Sequence, residues 1–378
     1  MTRHQPLFNL HSLLHHIDSE SDDDDDMDSL SVSSILSPSP SVAETSVTSH
    51  DMSMRSASPA PSVRSMSSSM REQIFRQEYG RGLNNYSDVY ALPADDEEWE
   101  RLEKQYSYMT SLMGKYPPPF GDIMRDEGPG GEIKRCLDLG CGNGAWKVLL
   151  HVIMDVAHDF PHCEAVAVDL VPMQSPSMPP NLRSEVDDLN MGLEHFYGDF
   201  NVVHAWLITS GIKDYDRLID EISHVLRPGG MIDLMEWGFD IYDGNKQSIP
   251  LSVHGPPWLA AFLGLVISAI KKRGGDVGGP SRMATLVQNH PDFEHVVVQE
   301  FWVTTTPWMK DDPEMVRGGI NMREDVYAFL KSAGPLLLGN GTPAELYEFM
   351  KRRVTQEMIE AKYPYWTRLR RVYALKRR

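Results

Sequence analysis

The pattern of apolar and polar positions changes character near residue 70. Residues 1 to about 70 hold few aromatics, many Ser, Pro and Asp, and no sustained periodicity. Such a segment cannot bury enough apolar surface to offset its ordering entropy, so a disordered tail is expected. Within it Leu10, Leu13, Leu14 and Ile17 fall at helical spacing, the pattern of a short partner-binding helix or of a frayed amphipathic end. Residues 71–79 read as helix, and 90–93 as extended chain, because Pro93 biases Leu92 away from helix. A helix is expected from Asp95-Asp96-Glu97-Glu98, whose acidic first turn suits the helix dipole, to about Gly114. Leu102, Tyr106, Met109 and Met113 share one of its faces.

From 135 onward the pattern alternates. Strands are expected at 135–139, 164–170, 183–186, 201–208 and 231–236, with helices at 146–157 and 215–226, the second broken by Arg227-Pro-Gly-Gly230. A helix at 259–272, a strand at 296–305, helices at 313–332 and 343–362, and a short last strand at 372–375 follow. Alternation of this kind implies an α/β fold with a mostly parallel sheet and right-handed crossovers.

Composition narrows the function classes. The 378 residues are 41% hydrophobic, enough for a sizeable core, and carry a formal net charge of −18. The acid is concentrated at 22–26 and 95–98 while 368–378 is basic, and no basic stripe argues for nucleic acid as a partner. Cys136, Cys141 and Cys163 make neither a disulfide framework nor a metal-ligating spacing, which points to a reducing compartment, cytoplasm or nucleus. The most apolar stretch, 258–270, is shorter than the ~18 residues of a membrane span and reads as a buried helix.

The candidate chemistry lies in Arg135-Cys-Leu-Asp-Leu-Gly-Cys-Gly-Asn-Gly-Ala-Trp146: a strand, a glycine turn and a helix start. Glycines allow positive φ and close approach of a ligand to the backbone. Gly140-x-Gly142-x-x-Ala145 also fits the dinucleotide fingerprint, but Asp138 would set a like charge beside a pyrophosphate and suits an ammonium group instead. Tyr347 and Lys351 have the Tyr-x-x-x-Lys spacing of hydride-transfer enzymes, and their place in a late helix marks the match as chance. Asp169 ends the second strand, where a carboxylate accepts both ribose hydroxyls of a nucleoside ligand. Asp187 and Asp188 end the third, and one of the two, Asp188 in preference, is placed to accept an adenine amino group.

These motifs in combination resemble the fungal LaeA-like group of class I S-adenosylmethionine-dependent methyltransferases, which includes regulators of secondary metabolism that associate with velvet proteins. The resemblance rests on 137–146, on Val168-Asp-Leu-Val-Pro-Met-Gln174 with Pro179-Pro-Asn181, on Val186-Asp-Asp188, on 200–205, and on Leu226-Arg-Pro-Gly-Gly230 with Glu236. Tyr90-Ala-Leu-Pro93 with Glu100-Arg-Leu102 resembles the group's N-terminal segment, so the similarity spans about 75 to 378. It implies a seven-stranded Rossmann-like sheet, S-adenosylmethionine as cofactor, and Asp138, Gly140, Cys141, Gly142, Asn143, Gly144, Asp169, Leu170, Asp187, Asp188 and Ala205 as its binding residues. It further implies a helical cap at 71–130 and a methyltransferase domain at 131–378, with a helical insertion at about 306–368 covering the acceptor side. Met109, Met113, Trp258, Trp302, Trp308 and Trp366 are candidates for lining that side.

Two positions depart from the group. Trp206 stands where an arginine is usual, and Leu193 where a tryptophan is usual. Trp206 is expected near the transferred methyl group. His204 and Glu236 lie at strand ends facing the expected cleft, and no catalytic base is assigned. The expected activity is methyl transfer to a small metabolite or protein, linked to regulation of secondary metabolism. The alternative is a cofactor-binding regulatory partner with little turnover, engaging another protein through the tail.

Overall fold

The computed structural model describes residues 72–142, 152–173, 175, 177–251 and 255–378. The expected tail, Asn143 and Gly144 lie outside the described residues. The first described element corrects an expectation. Strands β1 (Phe75–Glu78) and β2 (Arg81–Asn84) form an antiparallel hairpin where helix was expected. Tyr79 and Gly80 both take positive φ, 51° and 73°, the two-residue turn whose twist matches paired strands. The segment 71–130 is therefore a hairpin followed by helices, rather than a helical cap alone.

Helix α1 (Asp96–Met113) starts where its acidic run predicts, with Asp95 accepting the Glu98 N–H at 3.1 Å. Arg81 grips the same carboxylate with two 2.7 Å hydrogen bonds, which ties the hairpin to the helix start. Gly114, at φ 76°, ends α1, and the short α2 (Pro119–Ile123) follows.

The main sheet has seven strands: β3 (Arg135–Leu139), β4 (Glu164–Asp169), β5 (Leu182–Val186), β6 (Phe200–Trp206), β7 (Leu226–Trp237), β8 (Phe293–Thr304) and β9 (Trp366–Lys376). Their order is β5-β4-β3-β6-β7-β9-β8. The strands β3 to β7 run parallel, and β9 is antiparallel to both of its neighbours. The chain turns from one half of the sheet to the other between β3 and β6, and ligands of open α/β sheets bind at such a switch point. The last strand is 11 residues long instead of the short 372–375 expected, because it lies inside the sheet and pairs on both sides. The Arg227-Pro-Gly-Gly230 turn is absorbed into the start of β7 as a bulge, with Gly229 at φ 79°.

Alternation along β3 sorts side chains between two layers. Leu137 and Leu139 join Val203, Ala205, Ile232 and Leu234 under helices α4 (Tyr215–Val225) and α6 (Gly279–Asn289). Cys136 joins Val202, Met231 and Met235 under α1 and α3 (Val152–Asp159). The α6 helix was not foreseen.

A third cluster surrounds α5 (Trp258–Lys272), the apolar helix anticipated at 259–272, packed by α7 (Pro313–Ser332), α8 (Gly334–Gly339) and α9 (Ala344–Glu360). The first N–H groups of α5 have no local cap. They donate instead to Glu357 of α9, at 2.7 Å from Trp258 and 3.1 Å from Leu259. No described helix is long and apolar enough to cross a membrane.

Candidate functional site

A cavity opens over the carboxyl ends of β3, β4, β5 and β6, with α1 as its opposite wall. The glycine turn forms its base. Gly140 and Cys141 donate to the Val168 carbonyl at 2.8 and 3.1 Å, which holds the turn against the end of β4. Gly142, at φ 78°, donates its N–H to Asp169 Oδ2 at 2.8 Å. Burial pushes the Asp169 carboxyl up to about 6, against the backbone hydrogen bonds that favour its charge.

Most of the anticipated binding residues converge here. Asp138, Gly140, Cys141, Gly142, Asp169, Leu170, Asp187 and Asp188 all line the cavity. Ala205 does not. It is wholly buried in the sheet, and its neighbours His204 and Trp206 face the cavity in its place, as alternation along β6 requires. Asp188 also caps the short turn Leu189–Met191, its Oδ1 accepting from the Asn190 N–H at 3.0 Å and side chain at 2.7 Å.

Asp138 and His204 are both buried, with His204 Nδ1 2.7 Å from Asp138 Oδ1. Trp206 packs 4.3 Å from the His204 ring and 6.3 Å from Tyr106, and the Arg371 guanidinium lies 5.1 Å over its indole. The position where an arginine was anticipated therefore has a guanidinium beside it, contributed by β9. Leu193 is core.

Glu236 does not line the cavity. Its Oε1 accepts from the Ile208 and Thr209 N–H groups at 3.0 and 3.1 Å and from the Tyr215 hydroxyl at 3.0 Å, bracing the loop after β6. Burial raises its carboxyl to about 7.

The α1 wall was partly legible: Leu102, Tyr106 and Met109 line the cavity at their helical spacing. Met113 packs in the layer beneath, and Trp258, Trp302, Trp308 and Trp366 lie elsewhere. Trp99, Gln105 and Tyr90 were missed, since nothing in local pattern distinguishes a wall residue from a core one. The wall is braced on two sides. Arg101 bridges Glu98 at 2.6 Å and Asp325 of α7 at 2.9 Å, and the Tyr106 hydroxyl donates to Asp155 of α3 at 2.6 Å. Tyr347 donates to the Leu330 carbonyl at 2.7 Å and Lys351 pairs with Glu348, so the Tyr-x-x-x-Lys match is structural.

The described lining contains six carboxylates and no lysine or arginine. Asp95 and Glu98 are paired with Arg81 and Arg101, while Asp138, Asp169, Asp187 and Asp188 have no described lysine or arginine partner. Such a lining repels an anionic ligand and attracts a cationic one.

Comparison with known proteins agrees with this geometry. The chain is 42% identical over 306 residues to the secondary metabolism regulator laeA of Coprinopsis cinerea, covering 79% of this chain and 73% of that protein. The chain belongs to the LaeA-like family of class I S-adenosylmethionine-dependent methyltransferases. A methyltransferase domain profile matches residues 99–254. The methyltransferase pytC of Aspergillus terreus is 29% identical over 78% of this chain and 86% of its own length. The methyltransferase str2 of Strobilurus tenacellus is 23% identical over 72% and 92%.

The residues present fit the family's cofactor. A sulfonium and an ammonium group suit a cavity of carboxylates, whereas a dinucleotide's pyrophosphate would meet Asp138 with no described cation to balance it. The site of this LaeA-like methyltransferase is acidic and partly enclosed.

Proposed function

We propose that this LaeA-like protein binds S-adenosylmethionine between the glycine turn and α1, and methylates an uncharged or cationic acceptor admitted beside Trp206 and Tyr106. The observation that carries this reading is the convergence of Asp138, Asp169 and Asp188 on one cavity lined by no described cation. In it Asp169 accepts the ribose hydroxyls, Asp188 the adenine amino group, and Asp138 faces the methionyl ammonium. Gly140 and Gly142 admit the ligand close to the backbone. The cofactor supplies a methyl group already activated by a sulfonium sulphur. The chain's part is to hold the acceptor and exclude water, and positioning of this kind lowers a barrier by up to ~7–11 kcal/mol.

An anionic acceptor is disfavoured by the carboxylates. A neutral amine attacks through its lone pair and releases its proton to solvent after transfer, and no group in the cavity is assigned as a base. The Trp206, Tyr106, Trp99 and Met109 side chains offer the acceptor an apolar, aromatic wall. By analogy with the Coprinopsis regulator, the methylation serves control of secondary metabolism, in the cytoplasm or nucleus, with a protein partner engaged through residues 1–70. The test is transfer of labelled methyl from the cofactor into a cell extract, with protein and small-molecule label separated. Label in neither fraction, despite cofactor binding, would favour the regulatory reading without turnover.

A further inference from the structure

Beside the cavity, four adjacent strands carry a row of polar side chains on one face. Asp138 of β3 lies opposite His204 of β6, and His204 lies opposite Asp233 of β7. Arg371 of β9 stands two residues from Tyr373, the residue paired with Asp233. The far end of the row is rigid. Arg371 donates two hydrogen bonds to Asp233, at 2.8 and 2.7 Å, and both side chains are 1% exposed. A buried pair of this kind adds little net stability for its desolvation, while breaking it is costly, so it holds its neighbours in place.

His204 is wedged against this end. Its Nε2 is 3.9 Å from Asp233 Oδ2, and Trp206, itself covered by Arg371, packs on the ring. At the near end a carboxylate oxygen can only accept, so His204 Nδ1 carries the proton and donates to Asp138 Oδ1 at 2.7 Å. Among the described residues no hydrogen bond falls on Asp138 Oδ2.

We propose that His204 is a positioning residue, fixing the Asp138 carboxylate through Oδ1 so that Oδ2 is presented to the ammonium of the bound cofactor's amino-acid end. Trp206, packed on the His204 ring and covered by Arg371, holds the imidazole from the other side. This rests on the reading of Asp138 given under the proposed function. A row that only satisfied buried polar groups would influence folding and every ligand alike. A positioning row influences the amino-acid end alone.

Two ligands separate these cases. S-adenosylhomocysteine carries the ammonium. 5′-Methylthioadenosine has the same adenosine and thioether without the amino-acid end. Calorimetry on the full chain compares their affinities in wild type, Asp138→Asn, His204→Gln and His204→Asn. Asp138→Asn is expected to weaken S-adenosylhomocysteine by about tenfold or more, one charge-assisted contact, and to leave methylthioadenosine within about twofold. His204→Gln is expected to move the ratio in the same direction. His204→Asn places an amide donor near the position of Nδ1 and is expected to restore much of the ratio.

An unchanged ratio in Asp138→Asn overturns the Asp138 reading and this proposal with it. A shifted ratio there, with His204→Gln weakening both ligands equally or neither, overturns the proposal alone. If the His204 variants do not fold, ring-nitrogen spectra of the wild type decide. S-adenosylhomocysteine must move a buried imidazole Nδ1 signal that methylthioadenosine leaves in place, and movement by both or by neither refutes the role.

Discussion

The backbone N–H of Gly142 donates to Asp169 Oδ2 at 2.8 Å, so the glycine turn of β3 and the acidic end of β4 are one unit. A substitution at Asp169 therefore acts on the turn as well as on any ligand it holds.

Asp169 also gives the site a pH dependence. Burial holds its carboxyl at about 6 in the ligand-free protein. If the carboxylate accepts ribose hydroxyls, binding requires the ionised form. Cofactor affinity is then expected to rise with pH up to about 6 and level off above it, falling about tenfold per unit below. The group's effect on ligand-free stability has the opposite sign. Its folded value lies above the unfolded one, so its contribution is fully present below about 4 and lost as pH rises through about 6. Asp169→Ala is expected to weaken binding roughly ten- to a few hundred-fold, from two charge-assisted hydrogen bonds. Calorimetry from pH 5 to 8 checks both, and a flat wild-type profile would contradict the assignment.

Asp188 is expected to contribute less to binding and more to local structure. Asp188→Ala removes one acceptor for the adenine amino group, a loss of about tenfold, and also the Leu189–Met191 cap, worth about 1 kcal/mol of stability. An inosine analogue of the cofactor lacks the amino donor. It is expected to bind wild type more weakly than the adenosine form, and the difference is expected to vanish in the variant. Equal binding of both forms by wild type would exclude Asp188 as the adenine reader.

The α1 wall depends on Arg101. It is 8% exposed, between Glu98 at 1% and Asp325 at 18%. Arg101→Met leaves a buried carboxylate unpaired, with an expected loss of about 3–5 kcal/mol. Denaturant unfolding measures the loss, and cofactor affinity is expected to fall with it because Glu98, Trp99 and Tyr106 wall the cavity. A loss below about 1 kcal/mol, the scale of a surface pair, would show that the Arg101 pairs do not hold α1 in place.

Glu236 offers a test of the brace under the site. Burial lifts its carboxyl to about 7, well above the ordinary value, so the folded state takes up a proton that the unfolded state releases. Its contribution to stability is present below about 4.5 and lost as pH rises through about 7. In Glu236→Gln the amide oxygen still accepts from Ile208 and Thr209, and no titration remains. The stability profile between pH 5 and 8 is expected to be flatter in the variant than in wild type. Parallel profiles would remove Glu236 as the titrating group.

Local pattern determined a large part of this protein. The strand–turn–helix order, the glycine turn, and the acidic ends of β4 and β5 depend on residues close in the chain. Asp138, Gly142, Asp169 and Asp188 stand at or just beyond the carboxyl ends of short strand-like runs, so they could be assigned to one edge of a sheet before the sheet was known. The same local reading failed where a turn overrode propensity, as at Tyr79-Gly80, and where pairing on both sides lengthened β9.

Tertiary structure alone decided which wall closes the cavity and what holds its floor. Arg101 meets Asp325, Asp233 meets Arg371, and Glu357 caps α5 across separations of 224, 138 and 99 residues. No periodicity encodes such pairs. A buried charge takes whichever partner the packed layers bring within reach, and that is settled only when the layers meet. Alternation set Ala205 opposite His204 and Trp206, but only the packed sheet decided that the His204 and Trp206 face met the cavity while Ala205 turned into the core.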